Sequence, residues 1–237
     1  MKRIIKYILT MTLIFALTGC VDPESNQSQT HKAYQTDINT VEAAVRAFKE
    51  AKIGLPIENF NEDTPKYLRY KIDFNRLVPD YLPKPPANAY QKGGYFQYVI
   101  VHPEQEPQVK VLDVAIYNQV KRIQKKVDRF RARHGYAPLA DMITPGRYKI
   151  NFEQLGYDSP PKVTSPYSGQ PLGFVLNNDS QVFINYLPDI YQTLNNTDKT
   201  YKPGEDLRQV LVQNSPYVPV KSLPYTLKNG DIVFLIK

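Results

Sequence analysis

Apolar residues at helical spacing recur twice along the chain. Ile38, Val41, Val45 and Phe48 form one stripe, and Val120, Ile123, Val127 and Phe130 form another. Positions i, i+3, i+7 and i+10 lie on one face of a helix, so each stripe predicts an amphipathic helix packed on a core. The second stripe extends back to Ile116, with Asp113 placed to cap its first turn. Gly54 and Gly135 follow the stripes, where helices commonly end on a left-handed residue.

These helices open two copies of a longer unit. The four stripe pairs and the Pro56/Pro138 pair each lie 82 positions apart. Downstream, Arg69-Tyr70-Lys71-Ile72-Asp73-Phe74-Asn75-Arg76-Leu77 matches Arg147-Tyr148-Lys149-Ile150-Asn151-Phe152-Glu153-Gln154-Leu155, with six of nine positions identical. Asp73 and Asn151 are good N-caps, so each predicts a short helical turn carrying Phe and Leu inward. Gln154, three residues after Asn151, suggests a capping box. Arg69, Lys71, Arg147 and Lys149 would then be solvent-facing cations beside a packed Tyr, and they form the candidate ligand surface.

Both copies finish in β segments around turn residues. Tyr95–Val101 and Val109–Leu112 predict one hairpin, and Leu172–Leu176 with Gln181–Tyr186 predict another across Asn177-Asn178-Asp179. In the last fifty residues, Leu207, Val210 and Leu211 predict a short helix. Tyr225–Leu227 and Ile232–Ile236 flank Asn229-Gly230 and predict a third hairpin, whose terminal strand would complete a sheet. The predicted fold is α+β: two tandem repeats of helix followed by antiparallel hairpins, spanning 37–112 and 113–186, with a helix and hairpin extension over 187–237.

The N-terminal pattern differs. Lys2, Arg3 and Lys6 precede a mostly apolar stretch from Tyr7 to Leu17, closed by Leu17-Thr18-Gly19-Cys20. A basic start, a short apolar run and small residues at the cleavage point define a secretory signal over 1–19. The apolar run falls short of the ~20 residues needed to span a bilayer. Val21 to Thr36 is polar throughout its centre and reads as a flexible tether, so residues 20–36 are expected to link a lipidated Cys20 to the folded part.

Composition narrows the function classes. The formal charge of +7 falls to +4 once the three basic signal residues are removed. That modest excess favours proximity to anionic lipid or wall polymer, and no basic run argues for nucleic acid. Cys20 is the only Cys, which leaves no thiol for a disulfide, a nucleophile or a soft-metal site. His31, His102 and His134 have no partner at metal-ligand spacing. Ser159-Pro160-Pro161-Lys162 fits S-x-x-K only formally, because two prolines break the helical turn which that motif needs. No catalytic set, cofactor or metal site is identified, and the protein is not expected to be an enzyme. Eighteen Tyr without Trp suit half-buried packing, and also a glycan- or peptide-binding surface.

Leu17-Thr18-Gly19-Cys20 resembles the lipobox of bacterial lipoproteins, which implies a diacylglyceryl thioether on Cys20, cleavage before it, and anchorage at the outer face of the cytoplasmic membrane. With Tyr70–Leu77, Ser165-Pro166-Tyr167-Ser168-Gly169, and Ser215–Pro219 through Leu223–Thr226, the chain resembles an uncharacterised lipoprotein family of Gram-positive, spore-forming bacteria. Some members of that family are labelled solute-binding proteins of ABC transporters. Each repeat also resembles the globular part of pseudopilins, without their methylated N-terminal Phe or long apolar helix. The expected role is a non-catalytic envelope module whose partner is a protein, peptide or wall polymer. The alternative is a solute-binding lipoprotein of an importer, although such proteins usually carry ligand at the switch point of a parallel sheet. Oligomeric state is not legible in the sequence.

Overall fold

The computed structural model describes residues 23–235, with side chains from residue 35 onward. The signal segment, Cys20 and the last residue of the predicted terminal strand, Ile236, lie outside the described residues. Helix α1 spans Pro23–Ala51. Its inward stripe of Ile38, Val41, Val45 and Phe48 is at most 5 % exposed. The expected flexible tether over Val21–Thr36 is corrected from Pro23 onward, where the chain is helical. Pro23 stands at the first helical position, where its missing N–H costs nothing. No Gly or Pro interrupts residues 24–51, and extending a formed helix avoids the cost of nucleation.

After Gly54, whose φ is +99°, the chain doubles back on the nine-residue motif. Ile57 pairs with Ile72, and Asp73 N–H donates to Pro56 O at 2.9 Å. The Asp73 carboxylate accepts from Asn75 N–H at 3.0 Å and starts the 3-10 turn Phe74–Arg76, as the sequence predicts. Lys71 then pairs with Val99 of strand β1 (Phe96–Val101), and β1 pairs antiparallel with β2 (Gln108–Asp113).

The second half makes the same sequence of contacts. Asp113 accepts from Ala115 N–H and Ile116 N–H at the start of α2 (Val114–His134), and Gly135 ends that helix at φ +79°. Strands β3 (Leu139–Thr144), β4 (Arg147–Ile150), β7 (Phe174–Asn177) and β8 (Val182–Ile184) form one antiparallel sheet in the order β3-β4-β7-β8. Asn151 N–H donates to Pro138 O at 2.8 Å, as Asp73 does to Pro56. Lys149 pairs with Val175, as Lys71 does with Val99. Strands β5 (Val163–Thr164) and β6 (Pro171–Leu172) form a small ribbon between them.

Two local expectations change here. Arg147 and Lys149, expected as cations on either side of a packed Tyr, lie on strand β4 in a hairpin turned by Pro145-Gly146, a strand the sequence did not predict. The capping box is not formed, because the Asn151 N–H that Gln154 would satisfy is bonded to Pro138, although Asn151 Oδ1 does accept from Gln154 N–H.

The extension joins the halves. It contains α3 (Leu187–Asn195), α4 (Arg208–Gln213), β9 (Tyr225–Lys228) and β10 (Asp231–Phe234). Between α4 and β9 the chain runs parallel to β2 at Tyr217 and then parallel to β8 at Ser222. Val111 N–H donates to Pro216 O, and Ile184 N–H donates to Lys221 O, each at 2.9 Å. The middle of the extension thus completes both sheets, whereas its terminal hairpin, expected to do so, stands as a separate two-stranded sheet. Ile38–Lys237 is one compact unit, so the three predicted segments share a single body.

Tyrosines hold this junction. Tyr225 OH accepts from Tyr186 N–H and donates to Asn185 Oδ1, both at 3.0 Å, and Tyr186 OH donates to Val220 O at 3.2 Å. Both rings are fully buried, which carries their phenols well above the usual tyrosine range. Nearby, Ser165 and Ser168 hydroxyls donate to Asp189 Oδ1 at 2.8 and 2.5 Å, while Oδ2 has no partner among the described residues. Asp189 is 1 % exposed. Burial lifts its carboxyl above the ordinary range, and the two seryl hydrogen bonds only partly oppose this.

Two outcomes test these assignments. Asp113→Ala removes the cap of α2 and is expected to cost about 1 kcal/mol in urea unfolding. A raised Asp189 favours the neutral acid in the fold. Its stabilising contribution is therefore present below the ordinary carboxylate range and is lost as pH rises through the folded value. Asp189→Asn should accordingly stabilise relative to wild type most at neutral pH, with the difference in Tm shrinking on acidification. A difference independent of pH would refute the buried-carboxylate account.

Candidate functional site

The two halves differ in one length. Ile57 and Ile72 are separated by four more residues than their counterparts Leu139 and Ile150. The surplus lies in the loop over residues 58–69, and that loop forms the lip of a cleft of about 580 Å³. This volume lies within the range of small-ligand sites.

The lip is braced internally. Thr64 Oγ1 donates to Asn61 Oδ1 at 2.6 Å, and Arg69 Nη2 donates to the carbonyls of Glu62 and Thr64 at 3.0 and 3.3 Å. Arg69 also lies over the Phe60 ring at 5.7 Å. Its guanidinium therefore holds its own loop. Lys71, Gln97 and Leu112 line the cleft from the sheet side. The opposite wall comes from the first turns of α2. Ile116, Val120 and Ile123 point to the core, which leaves Tyr117, Asn118 and Lys121 on the adjoining face. Lys121 Nζ sits 5.5 Å from the Tyr117 ring centroid. Tyr90 enters from the 3-10 turn Tyr90–Lys92 and is 54 % exposed.

Polar groups remain available on these walls. Gln97 is only 8 % exposed; its Nε2 donates to Tyr98 O at 3.2 Å, and its Oε1 receives no protein donor among the described residues. The Asn118 side chain likewise makes no protein hydrogen bond among them. Lys71 is already engaged, because its Nζ lies 2.6 Å from Glu58 Oε2, with both side chains about one-third exposed. Asp63 and Lys121 supply one further charge of each sign. Phenol, amide and balanced charge together can hold a polar ligand through stacking and hydrogen bonds.

Residues 34–113 match the YphF family N-terminal domain. The match covers the buried stripe of α1, the lip, Lys71, Tyr90 and Gln97, and ends at the cap of α2; it fits an uncharacterised family. Tyr117, Asn118 and Lys121 lie beyond the matched segment. No curated protein and no solved structure matches the chain.

Of the four cations singled out from the sequence, only Lys71 lines the cleft. Arg69 braces the lip. Arg147 Nη1 donates to Gly146 O at 2.7 Å, and Lys149 pairs with Asp141 at 3.0 Å on an exposed sheet face. Tyr90, Gln97, Tyr117, Asn118 and Lys121 were not legible as site residues. One signal pointed there: matching positions of the two halves stay 82 apart through Pro56 and 78 apart in the nine-residue motif, which locates four extra residues in the first half.

Other concavities lie elsewhere among the described residues. One of about 200 Å³ adjoins Tyr67 and His102, and one of about 790 Å³ lies between α3 and the terminal hairpin. Among the described residues, no helix is long and apolar enough to cross a membrane, and no group of three or more His, Cys, Asp or Glu could hold a metal ion.

The Lys71–Glu58 pair sits at partial exposure, where ion pairs contribute little. A double-mutant cycle over Lys71→Met and Glu58→Gln should give a coupling of roughly 0.2–1 kcal/mol that falls with added salt. A salt-independent coupling of several kcal/mol would show instead that the pair is desolvated.

Proposed function

We propose that the protein is a non-catalytic binding module anchored through lipid on Cys20 to the outer face of the cytoplasmic membrane, where it engages a component of the cell envelope. The observation that carries this reading is Leu17-Thr18-Gly19-Cys20, standing after a basic and apolar leader and containing the only Cys of the chain. A diacylglyceryl group supplies two acyl chains, and stable anchoring takes about two such signals.

The cleft supports the binding part of the proposal. Its lining offers amides, phenols and balanced charge, an assembly suited to holding a ligand. We further read the shared hydrogen bonds of the two halves, from Pro56 to Asp73 and from Pro138 to Asn151, as the trace of a duplication. On that reading the first copy acquired the longer lip and the second serves as its support.

Mass spectrometry of the membrane-extracted protein is expected to find an N-terminus at diacylglyceryl-Cys20, and Cys20→Ala should abolish lipid labelling and release from the precursor form. Retention of residues 1–19 in the mature wild type, or a Cys20→Ala variant as firmly membrane-bound and as fully processed as wild type, would overturn the anchoring.

A further inference from the structure

We propose that the cleft between the 58–69 loop and the first turns of α2 is a binding site for a neutral oligosaccharide rich in hydroxyl and acetamido groups. This deepens the binding role proposed above and rests on it. Three observations carry it.

The first is charge. Lys71 is committed to Glu58 at 2.6 Å, and the other two charged residues at the cleft, Asp63 and Lys121, are of opposite sign. An anionic polymer would have to pull Lys71 from its carboxylate, whereas a neutral chain leaves the balance intact. The second is the aromatic surface. Tyr90 is more than half exposed, and Tyr117 is held on the other wall. The negative face of a tyrosine ring packs well against the weakly positive C–H face of a pyranose, and its hydroxyl remains free for hydrogen bonding. The third is the amide pair. Gln97 is more than nine-tenths buried, yet among the described residues its Oε1 lacks a protein donor and the Asn118 side chain makes no protein hydrogen bond. An acceptor fixed in a wall, facing a two-way amide, matches hydroxyl and acetamido groups that both donate and accept.

A peptide bound as an added strand has no edge to join here. Strand β1 is paired on one side with Lys71 and on the other with β2, and the outer side of β2 receives the tail at Tyr217. The second half lacks the lip and so lacks the site.

The test uses the full-length lipidated protein in detergent, titrated calorimetrically with an N-acetylglucosamine tetramer and with a glucose tetramer. The expected result is saturable binding of at least one, unchanged by added salt. Tyr90→Ala and Asn118→Ala, both at exposed positions, should each weaken it about tenfold. Tyr191→Ala, beside the separate concavity at α3, should leave it unchanged. Absence of binding to both tetramers at millimolar concentration overturns the inference. So does binding that survives both cleft variants, or a cleft that takes only poly(glycerol phosphate), with steep salt dependence, or only an extended peptide. Failure of these titrations with Cys20 lipidated removes the glycan and leaves the anchor. Glycan binding by a protein whose Cys20 carries no lipid removes the anchor and leaves the glycan.

Discussion

Unpaired sheet edges are the constraint on which the rest of this fold depends. Each half ends in an antiparallel edge strand, β2 or β8, whose outward N–H and C=O groups need partners. A single segment meets both needs by running parallel to Val111 and then to Ile184. The two residues occupy the same place in their sheets: Val111 is paired with Tyr98, and Ile184 with Phe174. The two accepting carbonyls, those of Pro216 and Lys221, lie five positions apart in the tail. The tail therefore ties the halves into one compact unit.

That lock explains the use of tyrosine. With no disulfide and no Trp, the junction needs large side chains that also satisfy backbone groups. Tyr186 and Tyr225 do both, filling the core with their rings while their hydroxyls bond Val220, Asn185 and the Tyr186 amide. Many of the tyrosines counted in the sequence are thus structural. Tyr90 and Tyr191 stand exposed, and Tyr90 marks the cleft. The same split applies to the matching cations, since identical residues in the two halves do different work. Arg69 holds a lip that Arg147 does not have, and Lys71 lines a cleft while Lys149 lies exposed on a sheet face.

Much of the secondary structure was legible because its causes are local. The two helical stripes, the Asp113 and Asp73 caps, the Gly135 stop and the three hairpins all follow from residues within a few positions of one another. Strands β3 and β4 escaped notice because β3 is exposed almost throughout and shows no buried alternation. The helical run before Ile38 escaped because its polar residues have no apolar face, and only continuity with a packed helix sustains it.

The sequence by itself determined most of the elements, their order and the likeness of the two halves, because periodicity, caps and turn residues act over short range. Only the tertiary structure decided that the tail completes both sheets and that a loop from one half faces a helix from the other. Those contacts join residues from about 40 positions apart, as Ile184 and Ser222 are, to about a hundred, as Val111 and Tyr217 are, and their register is set by edge pairing and core packing, which leave no local pattern in the chain.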